Sequence, residues 1–172
     1  LEDGDRDFSF YRKPGADMML TEDEVPEKLI SSSRIFHFGT LSMTHEGIRA
    51  ATKKAVRIAE KSGCMISFDP NLRPPLWSNM EEAKEQVLWG LDHCDILKIS
   101  DNEITWLTGK GDYTEGVNWI NERRPIPLIL VSMGKNGSRA YYKGNVVEAE
   151  AFLNPNTIET TGAGDTFMGC VL

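Results

Sequence analysis

The 172-residue chain is 40% apolar and 26% charged, enough to build a buried core, which excludes intrinsic disorder and collagen-like repetition. Basic side chains number 19 against 26 acidic ones, and the formal net charge of −7 repels a phosphate backbone, so no nucleic acid partner is expected. Apolar runs such as Leu128-Ile129-Leu130-Val131 fall far short of the roughly 18 residues a membrane helix needs, and no basic-plus-apolar leader opens the sequence, so the expectation is a soluble, unexported protein with no membrane partner.

Residues 7–12 read as a strand ahead of the main pattern. Four short apolar runs then recur, at residues 34–38, 64–68, 95–99 and 128–131, with the length of buried strands. Between the first two, Thr44 is placed to cap a helix in which Ile48, Ala51, Ala55 and Ile58 recur at helical spacing, with Gly63 as its stop. Ala83, Val87, Leu88 and Leu91 form a second apolar stripe, and further helices fit residues 101–108 and 114–122. The alternation predicts an α/β fold with right-handed crossovers and a largely parallel sheet carrying helices on its faces. Residues 139–142 and 146–150 read as a hairpin turning at Lys143-Gly144-Asn145. Trp77, Trp89, Trp106 and Trp119 are assigned to packing, and His37, His45 and His93 to surface or packing roles. No repeat or linker divides the chain, so residues 1–172 read as one unit. Both ends look cut: the chain opens at Leu1 and stops in the apolar run Phe167-Met168-Gly169-Cys170-Val171-Leu172, so part of a longer domain is expected. Cys64, Cys94 and Cys170 are odd in number, with no Cys-x-x-Cys pair, and read as reduced, mostly buried thiols of a cytoplasmic protein.

In an open parallel sheet, ligands bind outside the carboxyl ends of the strands. That rule selects Gly39, Asp69, Ser100, Ser132 and Gly134, a gathering of small and polar residues on one edge; ordinary loop composition is the alternative. The stretch Thr160-Thr161-Gly162-Ala163-Gly164-Asp165-Thr166-Phe167 is a glycine turn running into a helix that starts at Asp165. Such a turn aims free N–H groups at one point, a ready anion site, or else is a plain turn and cap. A carboxylate there would repel a bound phosphate. It fits if Asp165 accepts a proton from a hydroxyl attacking phosphorus while the amides hold the developing charge. Gly-x-x-x-x-Gly-Lys-Ser/Thr, the dinucleotide fingerprint and a serine-nucleophile elbow are all absent from the sequence.

The same eight residues resemble the C-terminal signature of the ribokinase-like (PfkB) carbohydrate kinases. Phe10-Tyr11-Arg12-Lys13-Pro14-Gly15-Ala16-Asp17-Met18-Met19-Leu20, His37-Phe38-Gly39-Thr40-Leu41-Ser42 and Phe68-Asp69-Pro70-Asn71-Leu72-Arg73-Pro74-Pro75-Leu76-Trp77 resemble the fructokinase branch of that family. The resemblance implies a ribokinase-like fold with part of a β lid, a lid strand within residues 1–20, and a partial kinase domain over 1–172. It implies Asp165 as catalytic base, and Gly162, Ala163 and Gly164 as anion hole. Ser132, Gly134 and Gly137 would lie near ATP phosphates, and Arg12, Asn71 and Arg73 near the sugar. In Ser100-Asp101-Asn102-Glu103, Glu103 matches the family glutamate that organises Mg²⁺ and its waters, while Ser100 replaces an asparagine; Glu159 stands where aspartate is common. For Arg73 a structural salt bridge, and for Arg12 an exposed edge position, are the alternatives.

The implied activity is transfer of the γ-phosphoryl group of ATP, with Mg²⁺, to a hexose hydroxyl, fructose giving fructose 6-phosphate. An alternative acceptor is 2-keto-3-deoxygluconate, whose kinases carry a similar Asp-Pro-Asn-x-Arg stretch and whose carboxylate needs a cation such as Arg12 or Arg73. A non-catalytic sugar- or nucleotide-binding module is the reading from another class. A homodimer through the lid is expected of the full-length protein, and the isolated chain is expected to be catalytically silent and either aggregation-prone or loosely folded.

Overall fold

The structure, a computed structural model, describes residues 10–157 and 160–172. Helix α1 (Glu27–Ser31) leads into β1 (Ile35–Gly39), α2 (Glu46–Lys61), β2 (Met65–Asp69), α3 (Met80–His93), β3 (Ile96–Ser100), α4 (Asp101–Thr108), α5 (Tyr113–Arg123) and β4 (Leu128–Ser132). The hairpin β5 (Ser138–Tyr142) and β6 (Asn145–Ala149) follows, and α6 (Ala163–Val171) closes the chain. The six strands lie in sequence order, with β1 to β4 parallel and β4, β5 and β6 antiparallel.

Period-two alternation sorts the side chains of each strand. Phe38, Phe68, Leu97, Ile129 and Tyr141 fall in one row across the sheet and face α2 to α5, where Ile48, Ala55, Val87, Leu91, Ile104 and Ile120 complete the main core. The opposite face is covered differently. Ile96 and Leu130 pack there with Met168 of α6, so helices lie on both faces, α2 to α5 on one and α6 on the other.

Several boundaries differ from the sequence reading for local reasons. Each of the first three strands starts and ends one residue later than the apolar run, because the polar residues Asp69 and Ser100 continue the ladder in register with Gly39 and Ser132. Thr44 does not cap α2. Its hydroxyl donates to the Leu41 carbonyl at 3.0 Å and accepts from Arg12 at 3.2 Å, and the helix starts at Glu46 after an extended His45. Gly63 does stop α2, at φ 73°. The hairpin turns on two residues rather than three: Lys143 and Gly144 both take positive φ, 49° and 78°, and Asn145 already pairs with Tyr142. Helix α6 begins at Ala163, two residues before the expected start, because Gly162 at φ 77° swings the chain into the helix. Among described residues 10–20 there is a short 3₁₀ turn, Ala16–Met19, and no strand; residues 7–9 and Glu159 lie outside the described residues. Trp77 is buried, and Trp89, Trp106 and Trp119 pack against the core.

Candidate active site

Gly39, Asp69, Ser100 and Ser132 are the last residues of β1 to β4, as the strand-end rule anticipates. On the α6 face this edge carries a row of polar side chains. His37 and Ser67, directly opposed on β1 and β2, share a hydrogen bond of 3.0 Å. Asp69 of β2 stands beside Lys98 of β3, and the two form a buried ion pair, Nζ to Oδ2 3.0 Å, with side-chain exposures of 5% and 8%. Removing one member of such a pair leaves the other charge buried, at a cost of about 3–5 kcal/mol. Burial pushes the Asp69 carboxyl above the usual carboxylate range; the Lys98 ammonium opposes that rise and Glu103 adds to it.

A cleft of about 220 Å³ opens above this row, lined by His37, Gly39, Leu41, Ser42, Asp69, Asn71 and Asp165. Asn71 takes a left-handed φ of 45°, which asparagine tolerates, and its backbone N–H donates to Asp69 Oδ1 at 3.2 Å. Asp165 is the third residue of α6 and exposed to the cleft. Gly162, as N-cap, has no side chain with which to satisfy the first-turn amides. The Ala163 N–H donates to the Thr160 carbonyl at 3.2 Å and the Thr166 N–H closes the first turn on the Gly162 carbonyl at 2.8 Å, while the amino end of the helix carries a partial positive charge. A carboxylate and a helix amino end therefore meet at the cleft mouth, an arrangement able to take a proton and hold an anion at one place.

The other candidate residues lie around this centre. Ser132 ends β4, and Gly134 (φ 54°) and Gly137 (φ 90°) make the tight turn into β5. A Cβ at Gly137 would lie 2.0 Å from the Ala149 carbonyl oxygen, so only glycine fits there. Glu103 clips two loops together: Oε2 accepts from the backbone N–H and hydroxyl of Ser100, each at 2.8 Å, and Oε1 from the Leu72 N–H at 2.6 Å. Arg12 bridges to Asp17, to Thr44 and to the Leu41 carbonyl at 3.3 Å, behind the cleft wall that Leu41 and Ser42 form. Arg73 is half-buried and donates to the Leu72 carbonyl at 3.3 Å. The cleft lining thus joins Asn71 and Asp165 but includes neither arginine.

Two residues of the site escaped the sequence reading. His37 lines the cleft, and its signal was the alternation itself: Phe36 and Phe38 face the core, so His37 faces the other way. Lys98 interrupts the otherwise apolar strand Ile96–Ser100, and a lysine inside a buried strand calls for a partner.

The largely parallel α/β sheet, with helices on both faces and a glycine turn followed by a carboxylate at its carboxyl edge, has the ribokinase-like architecture. The chain belongs to the pfkB family of carbohydrate kinases, which it matches over residues 1–172. It is 42% identical over 170 residues to the probable fructokinase-2 of Arabidopsis thaliana, covering 99% of this chain and 51% of that protein. Fructokinase-2 of Solanum lycopersicum is 41% identical over 170 residues, covering 99% of this chain and 52% of that protein. Among solved structures, the fructokinase with bound ATP from Xylella fastidiosa superposes with a TM-score of 0.85 at 30% identity, over 98% of this chain and 52% of that one. The fructokinase from Vibrio cholerae O395 in its fructose, ADP and calcium ion bound form gives 0.81 at 30% identity, over 91% of this chain and 50% of that one. The chain spans about half the length of the curated relatives it matches.

Proposed function

We propose that the protein containing this chain transfers the γ-phosphoryl group of ATP to a hydroxyl of fructose, giving fructose 6-phosphate. The observation that carries this reading is the meeting of Asp165, in the first turn of α6, with the strand-end residues Gly39 and Asp69 and the following Asn71 in one cleft. Asp165 takes the proton of the attacking hydroxyl; the sugar oxygen bonds to the γ-phosphorus as the bridging bond to the β-phosphate breaks and ADP leaves. Amides of the turn at Gly162, Ala163 and Gly164 hold the negative charge that builds on the transferring group. Ser132, Gly134 and Gly137 are assigned to the nucleotide side of the sheet edge, and Asn71, Arg73 and Arg12 to the sugar side, Arg12 acting through Leu41 and Thr44.

Among the described residues no three acidic, histidine or cysteine side chains converge on one point, so a protein cage for a divalent cation is not formed there. That donor set fits Mg²⁺ carried by ATP phosphates and water, with Glu103, whose oxygens already accept from Ser100 and Leu72, reaching it through water. Bound in that way, Mg²⁺ would neutralise phosphate charge.

The names of the relatives favour fructose over the keto acid, and both arginines proposed for a carboxylate lie outside the cleft lining. No helix among the described residues is long and apolar enough to cross a membrane. Our reading includes a cytoplasmic location, supported by three free thiols, and pairing of two copies through the lid, which sedimentation of the full-length protein would test. The functional reading is tested by ADP release from the full-length protein with ATP and Mg²⁺ across a sugar panel. Fructose is expected to give the highest kcat/KM; a higher value for 2-keto-3-deoxygluconate would overturn the choice of sugar.

A further inference from the structure

Lys98 has an odd place for a lysine. It is 6% exposed, sits in the middle of a sheet, and its ammonium lies where a Cβ on Gly164 would come within 3.1 Å of Nζ. Gly164 is the second residue of α6, so a buried cation rests against the helix end that already carries partial positive charge. Taken alone that contact is unfavourable. It becomes favourable when negative charge gathers on both sides, and the structure supplies one side: Asp69 holds Nζ through Oδ1 at 3.3 Å and Oδ2 at 3.0 Å. The other side is the cleft mouth, where Asp165 stands and where a transferring phosphoryl group would arrive.

We propose that Lys98 is a positioning residue, whose ammonium, pinned by Asp69, sets the height of the Gly162-Ala163-Gly164 turn above the sheet and with it the reach of Asp165 into the cleft. The proposal rests on the sugar-kinase reading above. It also explains the glycine at position 164. A lysine end is normally free to swing away from a new methyl group, but this one is held at both Asp69 oxygens, so an alanine at 164 must lift the turn instead.

The test is a double-mutant cycle on the full-length protein between Gly164→Ala and Lys98→Met, which keeps the aliphatic stem but stops one atom short of Nζ. With Lys98 present, Gly164→Ala is expected to lower kcat about tenfold or more while KM for fructose and ATP moves no more than about threefold, the mark of displaced catalytic geometry. Lys98→Met alone should lower kcat similarly. Adding Gly164→Ala to it should cost less than about twofold more. Multiplied losses of kcat in the double variant would overturn the proposal, even if thermal stability were coupled, because Lys98 would then serve the fold alone. Should Lys98→Met not fold, the cycle is run between Gly164→Ala and Lys98→Met joined with Asp69→Asn as one change, which leaves no buried charge unpaired. If the wild-type protein phosphorylates neither fructose nor the keto acid, the functional reading fails, and the cycle is read in Tm: Gly164→Ala should lower Tm beside Lys98 and not beside Met. Equal decreases in both backgrounds would overturn the contact itself.

Discussion

Gly39 and Asp69 end neighbouring strands in register, and a Cβ on Gly39 would lie 2.7 Å from the Asp69 carbonyl oxygen. The two backbones approach this closely because no side chain stands between them, and both line the cleft. Gly39→Ala is therefore expected to push β1 away from the Asp69-Pro70-Asn71 turn. Overpacking of this kind costs about 1–3 kcal/mol. Thermal unfolding should show the loss, and steady-state kinetics a raised KM for the sugar.

Glu103 holds the start of α4 and the loop after β2 at once, through Ser100 and the Leu72 N–H. Glu103→Ala removes a capping box and strands an amide. The helix cap contributes about 1 kcal/mol and the orphaned Leu72 donor about 1–3 kcal/mol, a combined loss that urea denaturation would register. Glu103→Gln separates two roles: if the carboxylate reaches Mg²⁺ through water, the amide variant needs more Mg²⁺ for half-maximal activity, and an unchanged requirement would confine Glu103 to holding the loops.

Cys94 is fully buried at the end of α3, and burial pushes its thiol up to about 12. In the unfolded chain the thiol loses its proton at a lower pH, so between the two values the unfolded state binds fewer protons than the folded one. The stability that burial of the neutral thiol confers is thus fully present below the unfolded pKa and is lost as pH rises towards about 12. A series of thermal melts above pH 9 should show Tm declining, and the decline should be shallower for Cys94→Ala. Alkylation of the native protein at neutral pH should label exposed Cys170 and spare Cys94.

The strands and the second, third and fourth long helices were legible because each rests on a periodic apolar pattern with a local stop, as with Asp101–Thr108 closing on the left-handed Gly109. The turn into α6 was legible for another reason: glycine at 162, here at φ 77°, marks a chain reversal running into a helix. What escaped needed tertiary knowledge. Thr44 looks like a helix cap, but its hydroxyl is drawn away by the Leu41 carbonyl, a partner fixed by the turn after β1. The pairing of Lys98 with Asp69 joins residues on two strands, and no local pattern states which strand ends become neighbours.

The central claim is that Asp165, in the first turn of α6 and open to the cleft, is the base of a sugar kinase. Its most direct test is ADP release by the full-length Asp165→Asn variant with fructose, ATP and Mg²⁺, alongside calorimetric titration of fructose. Loss of a general base predicts kcat lower by about 10²–10⁴-fold, with fructose still bound. Turnover of Asp165→Asn within a few-fold of wild type would contradict the account.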